Sequence, residues 1–451
     1  MIYFLGILIS FAAGFLLIKL LTGGRLNLIL HILLALVLGF GMDGTAAFYT
    51  HILFNQFNRF LPVVCIVLII LLLSFVKDSS PLKNKVSKKK KTAITKIDTT
   101  FMKIEYGWGL LTLIVLAVPL AVSAHYFPLG GWDAWSCWNL KAKFIFLGQE
   151  NWKDVLAPGL WRTNTQYPLL WPLINVWFWD LSGRFDQAIP MLNGFVIALL
   201  TAGILLFGLL ELTGSLLPSL LSAVIATALP LGILFATSQY SDPLLGLFLL
   251  SAFVSWLMAE KYNLPKLKIL SVVFLGLMSF TKNEGLVASC IAALGLFWHE
   301  RAHKNELKKL IPAFFIAALP TIIFTLFIAP KNEAFINGLV STAKPANWAR
   351  LSFILAYFGV EFISLKWNGF WLLVLGGMLL AGKKLWQSTL GVIGLTLIMY
   401  LATVMAYYEI NTFFEIGWWL STTLTRILFV LLPTITLWVG LGLCQNPSKQ
   451  P

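Results

Sequence analysis

"GLLTLIVLAVPLAVSAHYFPLGGWDAWSCWNLKAKFIF" runs from Gly109 to Phe146. Its first half is an uninterrupted apolar stretch, and a helix needs about 20 such residues to cross the hydrocarbon core of a bilayer. The chain leaves that stretch at Pro128. It then places one acid, Asp133, two lysines, Lys141 and Lys143, and three tryptophans in a short space. The same alternation recurs along all 451 residues, of which 59% are hydrophobic and only 12% charged. Soluble domains carry about 25% charged residues. With a mean hydropathy of +0.84, the sequence predicts an all-α polytopic membrane protein.

Candidate spans fall at 2–21, 26–43, 60–76, 107–127, 190–211, 216–235, 243–259, 267–280, 285–298, 311–329, 369–382, 389–407 and 425–443. That reading gives about 13 transmembrane helices. Segments 168–181 and 351–365 are apolar as well and read as extra half-helices. The first span lacks a basic leader and a small-residue cleavage site, so it is expected to be retained. Four scattered cysteines, Cys65, Cys137, Cys290 and Cys444, show no C-x-x-C pairing and argue against a disulfide framework or a zinc site.

The net charge of +14 suggests nucleic acid only until the lysines are located. Nine of the 33 basic residues lie between Lys77 and Lys103. Such a run reads as a cytoplasmic loop beside anionic lipid, with no nucleic-acid partner. With loop 77–105 in the cytoplasm, Arg25, the 260–268 turn, the 299–310 loop, Lys383, Lys384 and the C-terminal tail (444–451) fall on the same side. Segments 128–168, 236–243, 280–285, 330–366 and 407–426 fall outside. The expected organisation is a three-helix N-terminal addition (1–76), the basic loop (77–105) and a core (106–443) whose large outer loop, 128–168, carries interfacial helices.

The acids and bases that topology does not explain gather on the outer face. Trp132, Trp135 and Trp138 recur every third residue and continue into Ala142 and Ile145, which reads as an amphipathic helix at headgroup depth. Asp133 starts that helix, where it can cap the helix or act chemically. Lys141 and Lys143 fall on other sides of it. Asp242 precedes Pro243 at the head of an apolar span, a common helix start. Lys282, Asn283 and Glu284 form a polar turn between two apolar stretches, with no long loop to solvate them. Ionisable groups at membrane depth are costly and often functional. Arg426 opens the final span as a snorkelling anchor or a phosphate clamp. The chain has no G-x-x-x-x-G-K-[ST] loop and no H-E-x-x-H, so nothing supports an ATP-driven pump or a zinc protease. The few histidines, His31, His51, His125, His299 and His303, are scattered and do not suggest a histidine-based centre.

Taken in order, "WDAWSCWNLKAKFIF", "QYPLLWPLINVWFW" (166–179, with Tyr167), "SDPLLGLFLL", "FTKNEG" and "YYEINTFFEIGWWLSTTLTR" resemble motifs of the bacterial C-type membrane glycosyltransferases. The closest likeness is to the group of protein O-mannosyltransferases and lipid A aminoarabinose transferases. The resemblance covers roughly 106–443. It implies a bundle of that fold at the bacterial inner membrane, with its site on the periplasmic face. It also implies an inverting transfer of a sugar from a polyprenyl-phosphate-linked donor to a glycan, lipid or protein acceptor. Asp133 and Asp242 are the catalytic candidates, with Asp133 as base. Lys141, Tyr167, Lys282, Asn283, Glu284 and Arg426 are the candidates for binding the donor phosphate or substrate. Many members pair Asp with Glu in the first loop, whereas Ala134 follows Asp133 here. No metal ligand is therefore assigned, and the resemblance leaves a divalent cation open. The alternative is a lipid-linked sugar flippase or secondary transporter, which also shows many spans and sparse intramembrane charge.

Overall fold

The computed structural model describes the backbone of residues 1–76, 96–331 and 347–444 and of positions 336 and 340, with side chains from Ile104 onward in the second stretch. Most of the basic loop 77–105, most of 332–346 and the tail after Cys444 lie outside the described residues. Among the described residues every regular element is a helix. In chain order they are α1 (Ile2–Thr22), α2 (Leu28–Ala47), α3 (Phe60–Phe75), α4 (Lys96–Tyr126), α5 (Asn139–Gly148), α6 (Leu170–Ser182), α7 (Ala188–Thr213), α8 (Leu216–Thr227) and α9 (Pro230–Ala236). They continue with α10 (Ser241–Lys261), α11 (Lys266–Ser279), α12 (Asn283–His299), α13 (Lys304–Ile323), α14 (Trp348–Ile363), α15 (Phe370–Ala381), α16 (Ser388–Ile410) and α17 (Ile416–Cys444).

Among the described residues eight helices are long and apolar enough to cross a membrane, or nine if α8 and α9, bent by 69° at their junction, form one span. The count of about 13 is not confirmed. The other four expected spans are α3, α11, α12 and α15, with 16, 14, 17 and 12 residues. At about 1.5 Å per residue, α11 reaches only about 21 Å, short of a hydrocarbon core about 30 Å thick. It is nonetheless buried along most of its length and packs against α10 and α13. Hydropathy alone does not separate a helix facing lipid from one surrounded by protein, and this is where the two readings part. Segments 168–181 and 351–365 do form helices, α6 and α14.

The expected N-terminal addition packs into the core itself, with α2 against α6 and α7 and α1 against α11. The contact between α1 and α2 is close because two glycines lie in it. A Cβ on Gly14 would sit 2.0 Å from the Ala35 carbonyl oxygen, and one on Gly39 would sit 2.2 Å from that of Ser10. Small residues let helix backbones approach this way inside a bilayer. On the outside, α4 turns Leu110, Leu111, Ile114, Val115, Val118 and Val122 outward as a lipid-facing stripe. At the centre stands α10, buried along nearly all of its length.

Polar contacts gather at the two ends of α10. Near its C-terminus, Glu260 accepts from Trp256, Thr389 and His299, while Lys268 pairs with Glu300 at 2.6 Å. Beside them Glu211 accepts from Tyr106 and Tyr262. These residues come from the 260–268 and 299–310 connections and their neighbours. Near its N-terminus, Asp242 meets Lys282 and Arg426. Asp242 and Glu260 are separated by about 27 Å of helix, so segments expected on opposite sides of the bilayer sit at opposite ends of the bundle.

The close crossing of α1 and α2 makes a prediction. Gly39→Val should cost about 1–3 kcal/mol through overpacking, whereas Gly107→Val, where a side chain meets nothing within 4 Å, should change little. Thermal unfolding of the detergent-solubilised protein decides, and equal midpoints would refute the crossing.

Candidate functional site

The site is built from four separate segments. After α4 the chain turns through Gly130 and Gly131, and the Gly131 amide donates to the Ser238 carbonyl at 2.9 Å. Gly130 has φ +70°, and a Cβ there would lie 2.3 Å from that carbonyl oxygen. One on Gly131 would lie 2.4 Å from the Tyr240 hydroxyl. Only glycine fits this left-handed, tightly packed turn. It lays the start of the outer loop directly on the connection that enters α10.

Asp133 follows at once. It makes no side-chain cap. Its Oδ2 instead accepts from Arg426 Nη1 at 2.6 Å. Asp242 is in the first turn of α10, behind Tyr240 as the residue that caps it, and is not itself the N-cap. Its Oδ2 accepts from Arg426 Nη2 at 2.8 Å and its Oδ1 from Lys282 Nζ at 3.1 Å. Lys282 is the N-cap residue of α12 and also pairs with Glu284 at 3.3 Å. Arg426 does not open the last helix. It stands ten residues into α17, which starts at Ile416, and points inward against the ring of Tyr240, 4.5 Å from its centroid. A snorkelling anchor would turn to lipid; this guanidinium is held between two carboxylates.

The two cations therefore share one carboxylate, and Asp133 is joined to them through Arg426. Asp242 is 2% exposed at its side chain, Arg426 13% and Asp133 23%, so Asp133 is the member nearest solvent along this line. Burial works against a charged Lys282, but Asp242 and Glu284 outweigh it and hold the ammonium above its ordinary pKa. Several polar atoms around the network are buried with no protein partner: Arg426 Nε, Glu284 Oε2, Asn139 Oδ1 and Ser241 Oγ. Buried polar groups are nearly always paired, and exceptions of this kind gather where a ligand or ordered water belongs.

Tyr167 belongs to the same cluster. Lys282 Nζ lies 5.7 Å from its ring centroid. The ring stacks on Trp138 with centroids 5.6 Å apart, and burial pushes its phenol well above the ordinary range. Lys141 is a different case. It was expected on another side of an interfacial helix, yet it is fully buried. Its Nζ donates to the Asn164 carbonyl at 2.6 Å, which ties loop residues 164–167 to α5, and burial lowers its pKa. A second, longer bond of 3.4 Å reaches the Tyr167 carbonyl, so Lys141 holds the backbone that carries Tyr167. Asn283 opens α12 and makes no hydrogen bond within the cluster among the described residues.

The tryptophan stripe is also split. Residues 134–138 form a π-helical turn ahead of α5. Trp132 and Trp135 stay exposed and pack edge to face at 4.4 Å, while Trp138, Ala142 and Ile145 are buried. Three residues that the sequence reading passed over complete the site. Tyr240 carries the Arg426 contact. Asn139 donates to Gln239 at 2.8 Å, and Gln239 donates in turn to the Pro128 carbonyl at 2.8 Å. In the sequence these look like ordinary turn and cap residues, and no spacing marks them.

Among the described residues no group of three or more His, Cys, Asp or Glu side chains could hold a metal ion. The space between Asp133 and Asp242 is filled by the Arg426 guanidinium, so the residues present do not fit a cation bridging the two acids. No protein-family model, no curated protein and no solved structure matches the chain.

Breaking the network should be costly. Arg426→Met leaves Asp242 with Lys282 alone and should destabilise the protein by about 3–5 kcal/mol. In the Arg426→Met, Asp242→Leu double variant the loss should be smaller than the sum of the two single losses, because both members of the pair are removed together. Thermal unfolding in detergent reads the two single variants and the double. A double-variant loss equal to the sum of the Arg426→Met and Asp242→Leu losses would mean that the ion pair contributes no coupling.

Proposed function

We propose that the protein is a membrane glycosyltransferase. In this reading it moves a sugar from a polyprenyl-phosphate-linked donor to a hydroxyl acceptor, on the periplasmic face of a bacterial inner membrane. The observation that carries the reading is the Asp133–Arg426–Asp242–Lys282–Glu284 network at one end of a transmembrane bundle, with unpartnered polar atoms beside it. A lipid-borne donor must present its phosphate at such a boundary. Guanidinium and ammonium groups are the natural partners for it.

Charge balance suggests how the donor enters. The network holds three acids and two bases. A phosphodiester carries one negative charge, so it can take the place of Asp133 on Arg426 and leave that cation with two anionic partners. Asp242 keeps Arg426 and Lys282 in place. The released Asp133 carboxylate then faces the water side, free of its cation. The acceptor oxygen bonds to the anomeric carbon as the bond from that carbon to the phosphate oxygen breaks. The electron pair leaves on the phosphate, the hydroxyl proton passes to Asp133, and the anomeric centre inverts. Arg426 and Lys282 stabilise the charge that grows on the leaving group. Tyr167 and Tyr240 supply aromatic surface beside the reacting sugar, with Trp138 stacked behind Tyr167.

The second reading is a lipid-linked sugar flippase or secondary transporter. The 69° break between α8 and α9 favours it, since transporters build sites from discontinuous helices. Against it, the ionic network lies at one end of α10 and not at its middle.

The test supplies proteoliposomes with a polyprenyl-phosphate sugar and follows release of polyprenyl phosphate. Asp133→Asn keeps the shape but cannot take the proton, and should slow turnover about 10²–10⁴-fold while donor binding persists. Lys282→Met should weaken donor binding. Full turnover by Asp133→Asn would reduce Asp133 to a structural ion-pair partner. Movement of the donor between leaflets without cleavage would favour the transporter.

Sidedness is checked separately. A cysteine replacing exposed Trp132 should react with an impermeant thiol reagent added to intact cells, and one replacing His303 should not. The reverse pattern would invert the topology and remove the periplasmic site.

A further inference from the structure

A cavity of about 320 Å³ opens between the end of α2, the start of α3, the end of α5 and α6. It shares no residue with the ionic network. Ligand pockets start at about 300 Å³, so it is large enough for a monosaccharide-sized molecule. His51, Arg59, Gln149 and Asp180 form its polar walls, and Phe57 and Phe146 are among its apolar ones.

The polar walls are arranged for a ligand. His51 Nδ1 lies 2.7 Å from the Gln56 carbonyl, which can only accept, so Nδ1 carries a hydrogen. Nε2 lies 2.6 Å from Asp180 Oδ2. One proton sits between these two atoms wherever it is drawn, so the buried pair is neutral overall. Phe57 stacks on the imidazole at 5.0 Å and fixes its plane. Asp180 Oδ1 accepts no hydrogen bond from any described residue, which leaves it free for a ligand hydroxyl. Arg59 is exposed, rests on the Phe60 ring at 4.7 Å and forms no ion pair among the described residues. The pair being neutral, Arg59 gives the cavity a net positive charge. At the rim Gln149 has φ +47° and ψ −117°, a conformation rarely adopted by a residue with a side chain and one often kept at binding sites.

We propose that this cavity is a second ligand site, for a hydroxyl-rich anion such as a sugar acid or a sugar phosphate. Arg59 takes the carboxylate or phosphate, Asp180 Oδ1 accepts from a hydroxyl, and the Phe57 and Phe146 rings cover the apolar face of the sugar. The site stands on its own geometry. Asp180 stands about 15 Å along α6 from Leu170, whose amide donates to the Phe280 carbonyl two residues before Lys282, and the use of the cavity as an acceptor subsite rests on the glycosyl-transfer reading.

Calorimetry on the full-length protein in detergent tests it, with glucuronate, glucose 6-phosphate, glucose and a short-chain phosphatidylglycerol as probes. At least one sugar anion should bind about tenfold or more tightly than glucose. Arg59→Gln, at an exposed position that should fold normally, should weaken that binding about tenfold. Asp180→Asn should weaken it as well, and Lys282→Met, which removes a cation of the ionic network, should leave it unchanged. Binding lost in Lys282→Met would assign the anion to the ionic network and overturn the proposal. So would the absence of binding by either sugar anion, or binding indifferent to Arg59→Gln. Binding of the phospholipid alone would make the cavity a headgroup site and likewise overturn it. Because the readout is binding, a failed transfer assay leaves this result standing, and the converse also holds.

Discussion

A guanidinium buried between two carboxylates sets the terms for the rest of the molecule. Moving Arg426 out of water is expensive, and its attraction to Asp133 and Asp242 offsets that cost only if the geometry is kept. Each partner comes from a different segment, so the requirement reaches far. The glycine turn at 130–131 must bring the outer loop down onto the entry to α10. Helix α10 must start where it does. Helix α12 must present Lys282 at its head to share Asp242. The charges act as a clasp that fixes the register of α10, α12 and α17 relative to one another and to the outer loop.

The candidates Asp133, Asp242, Lys282 and Arg426 were legible because ionisable residues beside long apolar stretches are rare and costly. Their pairing was not. Asp133 and Arg426 are 293 residues apart, and no local pattern encodes which carboxylate meets which base. Tyr240, Gln239 and Asn139 were missed for the opposite reason: neutral polar residues near helix ends are common, so nothing singles them out. The all-helical membrane class followed from composition. The number of spans did not, because α11 is as apolar as a spanning helix but is short and sheltered by its neighbours.

The outer loop shows how a small local change redirects several side chains. A spacing of three through Trp132, Trp135 and Trp138 assumes one continuous α-helix. The π-helical turn at 134–138 fits an extra residue into the turn and so shifts the phase of the side chains that follow it. The first two tryptophans then face outward, while Trp138 and Lys141 turn in. Trp138 stacks on Tyr167 and Lys141 ties down the loop that carries it. The same turn therefore separates membrane anchoring from site construction within a dozen residues.

The length of α17 has a consequence for the lipid around it. At about 1.5 Å per residue, its 29 residues span about 44 Å, well beyond a hydrocarbon core of about 30 Å. Measured from Cys444, Arg426 stands about 27 Å up the helix, close to where that core ends, and the turns before it form a wall above the boundary. With a hydrocarbon core that begins at Cys444, a membrane thicker by a few ångströms would place hydrocarbon around the ion network and a thinner one would open it to water, each through a modest mismatch cost. Acyl-chain length is then expected to govern how wet the charged cluster is.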